Sequence, residues 1–260
     1  MRIQSYDIIP ALQPHVKSIC TMDCENGADR SYIRVLPDTC VELFLNYTST
    51  PVAIINDELH KSSIFTFRMS RPMDIQMRKG EGVVAICFQP GMAYKFIQVP
   101  MHILSDTTTD LADVWGFMGA EIEDKMAGSS NNEMRVNLIQ QYLFKALANV
   151  KDDLPIADCL KQVQLSGGLI PVGKLVSNTG LSQRHLSRKF QEHVGLSPKE
   201  YLRVSRFIRS LNHLKRYPAL SLTEVAYTSG YYDQAHFIRD YKDYTGATPR
   251  QLLQAVHIFY

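Results

Sequence analysis

Residues 182–198 read SQRHLSRKFQEHVGLSP, and residues 233–249 read DQAHFIRDYKDYTGATP. The two stretches keep apolar side chains at the same places and share five identical pairs, which are Gln183/Gln234, His185/His236, Arg188/Arg239, Gly195/Gly246 and Pro198/Pro249. An internal repeat of this kind predicts one supersecondary unit that the chain uses twice.

Each copy carries the start and stop signals of two helices joined by a tight turn. Ser182 and Asp233 are good N-caps for the second helix of their copy, and Gly195 and Gly246 follow its last residue. The predicted helices span 172–178 and 182–194 in the first copy, and 222–228 and 233–245 in the second. Two helices joined by a short glycine-containing turn form a helix-turn-helix unit.

The segment between the two copies is predicted to be one long helix. A capping box with proline at the first helical position opens it at residues 197–200, and a similar box follows the second copy at residues 248–251. The helix, residues 198–214, would be about 25 Å long and could hold two units near the ~34 Å separation of major-groove faces. Its arginines, Arg203, Arg206 and Arg209, either contact phosphates or lie in solvent beside an apolar face.

The second helix of each unit combines an apolar face with a polar stripe. Arginine matches guanine, glutamine matches adenine, and an exposed isoleucine can touch a thymine methyl group. The candidate base contacts are Gln183, Arg184, Ser187, Arg188 and Gln191 in the first unit, and Gln234, Ala235, Ile238, Arg239 and Lys242 in the second. The candidate phosphate contacts are Ser182, Lys189, Arg203 and Arg206. The alternative is that both stripes are simply solvated faces.

The charge of the chain is distributed unevenly. Residues 166–260 contain 13 basic and 6 acidic side chains, a net charge of +7, whereas residues 1–165 carry a net charge of −5. A basic region of this size is typical of polyanion binding, because each neutralised phosphate releases condensed counterions. A solvated basic surface would give the same count.

Residues from about 155 to 258 resemble the DNA-binding domain of AraC/XylS-family transcription regulators, in which a long helix joins two helix-turn-helix units. The family pattern is carried by Ala226, Gly230-Tyr231, Phe237-Ile-Arg239-Asp-Tyr241-Lys242 and Gly246-Ala-Thr-Pro249. The resemblance implies sequence-specific binding to promoter double-stranded DNA, with RNA polymerase as a further candidate partner. It also implies that bases face Arg184, Ser187, Arg188, Gln234, Ala235 and Arg239.

Two departures from the family pattern affect these expectations. Val176 stands where the family usually has a small residue, and Asp240 and Asp243 add negative charge to the second reading helix. The second unit is therefore expected to read fewer bases and to act more as a phosphate clamp.

The N-terminal part has the alternating or continuous apolar pattern of strands. The predicted strands are residues 30–36, 40–47, 52–55, 63–69 and 82–88, which favour a β-barrel or sandwich and an α+β chain overall. Residues 35–43, 87–94 and 114–116 resemble an uncharacterised N-terminal domain found in the same family. That resemblance implies a cupin-like barrel that senses an unidentified small-molecule effector or mediates dimerisation. Glu42 is expected to be an exposed edge carboxylate rather than a pocket residue.

Two helices, residues 111–126 and 133–150, are predicted between the halves. The second has an a/d seam that either forms a homodimer interface or packs against its own chain, and its members are Val136, Ile139, Leu143, Ala146 and Val150. Residues 151–155 are the expected hinge. The predicted organisation is a β-rich sensor or dimerisation domain at 1–108, linker helices at 109–154 and the DNA-binding domain at 155–260.

The remaining motifs predict no enzyme, no cofactor and no metal site. Residues 168–174 fit the spacing of a phosphate-binding loop but lack its Ser or Thr and contain Pro171. Cys20 and Cys24 have no second ligand pair at metal-site spacing. The first residues lack a signal sequence and no apolar run could span a bilayer, so a cytoplasmic location without a membrane partner is expected. The rival function is an effector-binding or scaffolding protein whose helical half binds a protein partner.

Overall fold

The computed structural model describes residues 1–24, 30–48, 51–148, 150, 153–254 and 258–259. The strands are β1 (Arg2–Tyr6), β2 (Val16–Asp23), β3 (Arg30–Val35), β4 (Glu42–Asn46), β5 (Ala53–Ile55), β6 (Glu58–His60), β7 (Ile64–Thr66), β8 (Met73–Arg78), β9 (Gly82–Phe88), β10 (Thr108–Asp110) and β11 (Ile258–Phe259). The helices are α1 (Met101–Leu104), α2 (Leu111–Trp115), α3 (Phe117–Gly128), α4 (Asn132–Leu147), α5 (Leu154–Ser166), α6 (Val172–Thr179), α7 (Gln183–Val194), α8 (Pro198–Arg216), α9 (Leu222–Thr228), α10 (Gln234–Thr245) and α11 (Pro249–Gln254). The predicted α+β class, with strands first and helices last, is confirmed.

The strands form two sheets that face each other. The six-stranded sheet has the order β1-β2-β9-β4-β7-β10, and the five-stranded sheet has the order β11-β3-β8-β5-β6. Apolar side chains from both sheets, such as Phe44 of β4 and Ile75 of β8, share one buried cluster. Within the described residues each sheet keeps two edge strands, so the expected closed barrel is not formed. The N-terminal part is instead an open sandwich.

Helices cover the other face of the six-stranded sheet. The predicted single helix over residues 111–126 is wrong, because Gly116, with φ of +55°, separates α2 from α3. Asn131 caps α4 by accepting a hydrogen bond from the backbone N–H of Met134 at 2.9 Å. Helix α4 ends at Leu147, three residues before the predicted end.

The seam of α4 packs against its own chain. The exposed fractions of Val136, Ile139 and Leu143 are 2%, 0% and 0%, and these side chains belong to the core beneath the sheet. Ala146 packs at the edge of the same core. Of the two predicted alternatives for the seam, packing against its own chain is confirmed for Val136, Ile139, Leu143 and Ala146. Surface that is already buried within one chain is not available to a second copy, so these four residues do not support the alternative homodimer through Val136, Ile139, Leu143, Ala146 and Val150.

The C-terminal helices share a second core, which also receives one side chain from the sandwich. Leu36, directly after β3, lies in the cluster that contains Leu160, Phe190, Phe207 and Phe237. The connecting helix α8 has 19 residues and is therefore about 28 Å long. No helix in the described ranges combines the length and the apolar content needed to cross a membrane.

Candidate nucleic-acid interface

The first helix-turn-helix unit consists of α6 and α7. Ser182 Oγ accepts a hydrogen bond from the backbone N–H of His185 at 3.3 Å, so the predicted N-cap of α7 is confirmed. Gly180 and Gly195 both have positive φ, +67° and +78°, where a side chain would be strained. Leu186 and Phe190 are fully buried, which fixes the opposite face of α7 towards solvent.

The predicted base contacts of this unit differ in exposure. Gln183, Arg184 and Arg188 are exposed, whereas Ser187 and Gln191 are half-buried. Arg188 Nε lies 3.8 Å from Glu192 Oε1, and the arginine side chain remains 68% exposed. Because an exposed i,i+4 ion pair contributes only about 0.3–0.5 kcal/mol, the Arg188 guanidinium can exchange Glu192 for another acceptor.

The second unit consists of α9 and α10, whose ends agree with the predicted ones. Asp233 accepts the backbone N–H of His236 at 2.7 Å, and a capping box formed by Ser221 and Glu224, which the sequence reasoning overlooked, opens α9. Gly246 follows α10 with φ of +71°. The capping box at Thr248 and Gln251 is also confirmed.

The reading face of α10 is smaller than predicted. Ala235, Arg239 and Lys242 are exposed. Gln234 is half-buried, and its Oε1 accepts a hydrogen bond from Thr223 Oγ1 at 3.0 Å. Ile238 is half-buried and packs at the edge of the helical core, so less of its side chain is exposed than predicted.

Two of the four predicted phosphate contacts are held by carboxylates of the same chain. Arg203 pairs with Asp240 and Asp243, and Lys189 pairs with Asp153. To contact a phosphate, the Arg203 or Lys189 side chain would have to share its charge with its carboxylate partner or give up that partner. Ser182 is exposed, and Arg206 is half-buried with an Nε atom that has no hydrogen-bond partner among the described residues.

Asp153 ties α7 to the start of α5. Its side chain caps α5 by accepting the backbone N–H of Ile156 at 3.3 Å and also binds Lys189, with His193 Nε2 at 3.5 Å. Burial raises the pKa of Asp153, but the hydrogen bonds from Lys189 and the Ile156 backbone, together with the charges of Lys189 and His193, outweigh it, so the pKa lies below its ordinary value. Of the predicted hinge, residues 151–152 lie outside the described part of the chain, and Asp153 is fixed rather than free.

The C-terminal end of α7 contacts the sandwich side of the molecule. The ring of His193 meets the ring of Tyr94 edge-on, with centroids 4.4 Å apart. Ser105 Oγ donates a hydrogen bond to the carbonyl of Gly195 at 3.4 Å. The first reading helix is therefore in direct contact with the segment that follows the sandwich.

A second candidate site is a cavity of about 250 Å³ between the two sheets. Glu42 lines this cavity. It lies on β4, which is an inner strand that pairs with β9 and β7. Thr66 Oγ1 donates a hydrogen bond to Glu42 Oε2 at 2.8 Å. The predicted exposed edge carboxylate is therefore wrong. Lys17 and Asp38 line the same cavity, and nothing in their local sequence signalled this.

The described residues contain no group of three or more His, Cys, Asp or Glu side chains placed to hold a metal ion. Of the segment Gly168 to Lys174, the first four residues form the turn between α5 and α6, with Pro171 as the N-cap of α6, and the last three form the first turn of α6. A helix precedes them where a phosphate-binding loop would have a strand.

Comparison with known proteins assigns both parts of the chain. Residues 175–255 match the family described as a helix-turn-helix domain, and residues 5–110 match a domain of unknown function (DUF6597). The HTH-type transcriptional activators RhaS of Salmonella paratyphi B and Salmonella newport are each 29% identical over 129 residues. This alignment covers 50% of the present chain and 39% of each relative, so it spans well under half of their length.

Two solved structures of ToxT from Vibrio cholerae align over almost the whole chain. One is bound to (E)-4-(8-methylnaphthalen-1-yl)but-3-enoic acid, with 12% identity, 98% and 99% coverage of the two chains and a TM-score of 0.47. The other is bound to an unsaturated fatty acid, with 12% identity, 97% coverage of both chains and a TM-score of 0.45.

The helix-turn-helix match covers most of both units described above, from α6 through α10. The C-terminal part of the chain therefore contains a helix-turn-helix domain, and it is similar to a part of the RhaS transcriptional activators.

Proposed function

We propose that this protein binds promoter DNA in a sequence-specific manner through both helix-turn-helix units and is controlled by a small molecule bound between its two sheets. The observation that carries the DNA-binding role is the exposure of Arg184 and Arg188 on α7, and of Arg239 and Lys242 on α10, while the apolar faces of both helices share one core. The two helices are thus joined by one shared apolar core in the half of the chain with a net charge of +7.

The base-reading residues we propose are those predicted from the sequence, but we expect them to contribute unequally to base reading. Arg184, Ser187 and Arg188 would read the first half-site, since arginine donates two parallel hydrogen bonds to guanine O6 and N7. In the second half-site the exposed Ala235 and Arg239 face bases, and Gln234 does so by leaving Thr223. The margins of the DNA-contacting surface would contain Gln183, Gln191 and Lys242. The phosphate contacts would come from Ser182 and Arg206.

The strand β3 supports the proposed control by an effector. Its residues Ile33 and Val35 line the cavity, and Tyr32 and Arg34 on the opposite face, together with Ile33, line a cleft that also contains Thr245 at the end of α10. A strand places alternate side chains on opposite faces, so one backbone is in contact with both sites. A ligand that binds one arrangement of β3 better than another would shift the position of the second unit.

The organisation that goes with this function is the predicted one: a sensor at 1–108, linker helices at 109–154 and a DNA-binding domain at 155–260. Promoter DNA is the proposed partner and RNA polymerase a second one. A cytoplasmic location follows from the role.

The test is selection from a randomised duplex library by the purified chain at two salt concentrations, followed by sequencing of the bound fraction. Two short enriched half-sites about one helical turn apart are expected. Binding that depends on salt but enriches no motif would contradict base reading. Absence of salt-dependent binding would favour the rival function, in which the helical half binds a protein partner.

A further inference from the structure

The cavity between the sheets is apolar except for a small group of charged side chains. Met22, Ile33, Phe44, Ile75 and Met77 form much of its wall. Its volume of about 250 Å³ is roughly eight times the ~30 Å³ share of one water molecule. It lies just below the usual range of about 300–1,000 Å³ for ligand pockets and suits a small ligand with one apolar body.

The charged side chains of the cavity do not balance. Two carboxyl groups, Glu42 and Asp38, face one ammonium group, Lys17. Lys17 Nζ lies 3.9 Å from Cys40 Sγ, and Asp38 accepts the backbone N–H of Cys40 at 2.7 Å. None of the ion pairs between described residues includes Glu42, whose side chain is bound by Thr66. The site is thus short of one positive charge when both carboxyl groups are ionised.

The surroundings of Glu42 explain how the cavity tolerates the missing positive charge. Burial, and after it the carboxylate of Asp38, raises the pKa of Glu42 to about 8, so that most molecules carry a proton there at pH 7. The titratable groups that face Glu42 from the neighbouring strands and loop are Lys17, Cys20, Asp38, Cys40 and Cys87. Burial raises the pKa of Cys20 to about 11, and a hydrogen bond with Cys87 followed by burial raises that of Cys40, so these two thiols stay neutral at pH 7.

We propose that the cavity binds a small apolar molecule carrying a protonated amine, whose ammonium group pairs with Glu42 in place of a proton. The proposal deepens the proposed effector site and rests on it. As the ligand enters, the Glu42 proton leaves for solvent, so the total charge within the cavity stays the same. An ionised carboxylate buried without a partner is costly, and a ligand cation removes that cost. An anionic headgroup would instead meet two carboxyl groups.

Three probes with the same apolar body test the charge of the ligand. These are 4-phenylbutylamine, 4-phenylbutan-1-ol and 4-phenylbutanoate, titrated calorimetrically into the full-length protein without DNA. The amine is expected to bind most tightly at pH 8. Its affinity should fall about 50-fold between pH 8 and pH 6, because the ionised fraction of Glu42 falls by that factor around a pKa of about 8. At pH 7, repeating the titration in buffers of different ionisation enthalpy should show release of about 0.9 proton per amine bound.

Glu42→Gln provides the decisive variant, and Glu58→Gln its matched control on an exposed strand. Glu42→Gln should abolish both the preference for the amine and the pH dependence while retaining the alcohol, which shows that the cavity is intact. Glu58→Gln should change nothing. Equal or tighter binding of the alcohol or the acid to the wild-type protein, no binding of the amine, or an amine preference that survives in Glu42→Gln would each overturn the proposal. Because these titrations contain no DNA, their failure leaves the library selection unaffected, and the reverse also holds.

Discussion

Arg203 of α8 donates a hydrogen bond from Nε to Oδ1 of Asp240 in α10 at 2.8 Å, and the Asp240 side chain has no exposed surface. Asp243 accepts from the same guanidinium group. The second reading helix is therefore fixed to the connecting helix by an ion pair whose carboxylate is buried and whose guanidinium is partly exposed. The acidic residues that the sequence predicted would weaken base reading are turned inward or neutralised, while Arg239 and Lys242 of the same helix remain exposed.

The Arg203–Asp240 pair should contribute strongly to the stability of the fold. Arg203→Ala leaves a buried carboxylate without its cation, and we expect a loss of about 3 kcal/mol in the free energy of unfolding, since the guanidinium is partly solvated. Replacing both residues, with Arg203→Met and Asp240→Leu, should cost much less. Asp243→Asn, at an exposed position, should cost under about 1 kcal/mol. Urea unfolding measures all three, and an equal loss in the single and double variants would argue against the pair.

Arg188 should read one base pair. Arg188→Ala is expected to weaken binding to the selected site by about 1–3 kcal/mol and to relax the preference at one position only. Lys161→Ala removes an exposed charge on α5, outside the two helix-turn-helix units, and is the control. Fluorescence anisotropy on the selected duplex and on single-base variants checks the prediction, and an equal loss on random DNA would refute the base-reading role.

Lys189 should behave differently from its neighbour Arg188. Since Lys189 pairs with the largely buried Asp153, Lys189→Ala is expected to lower the unfolding free energy, by about 1–3 kcal/mol, as well as to weaken binding to all duplexes. Thermal melting without DNA separates the two effects. A variant as stable as the wild type would show that the pair with Asp153 is not maintained in solution.

Glu42 should make the protein less stable at alkaline pH. Its pKa is raised in the folded protein, so the protonated form stabilises the fold below the ordinary pKa near 4.5, and this stabilisation is lost as the pH rises through about 8. The loss between pH 5 and pH 8 is on the order of 3 kcal/mol. Glu42→Gln should remove this dependence and exceed the wild type in stability at pH 8. Parallel pH profiles for the two proteins would contradict the burial of Glu42.

Gly195 and Gly246 occupy the same cap position in the two units and should differ in tolerance. A Cβ atom at Gly195 would lie 2.6 Å from Ser105 Oγ and 3.0 Å from the carbonyl of Met101, whereas nothing lies within 4 Å at Gly246. Both alanine variants should lose about 1–2 kcal/mol in the free energy of unfolding, because alanine is strained at a positive φ. Gly195→Ala should cost about 1 kcal/mol more because of the crowding. An equal loss of unfolding free energy in the two variants would show that α7 and α1 can move apart at this contact without strain.

The sequence predicted best those elements whose signals are local. The ends of α7 and α10 followed from the caps Ser182 and Asp233 and from the terminal glycines, because capping depends on residues within one turn. The strand Gly82–Phe88 was also predicted correctly from a continuous apolar run. By contrast, β1 is almost wholly exposed and has no apolar alternation, so its sequence gave no such signal.

The sequence by itself determined that the chain folds two copies of a capped helix-turn-helix unit joined by a long helix. It could not determine what covers each apolar face. The seam of α4 fits a homodimer as well as its own sheet, and only the packed chain shows that Ile139 and Leu143 lie beneath the sheet. Glu42 on β4, Ile238 on α10 and Asp240 on the same helix were misjudged for the same reason. Burial depends on partners far away in sequence, and those partners are fixed only when the whole chain has folded.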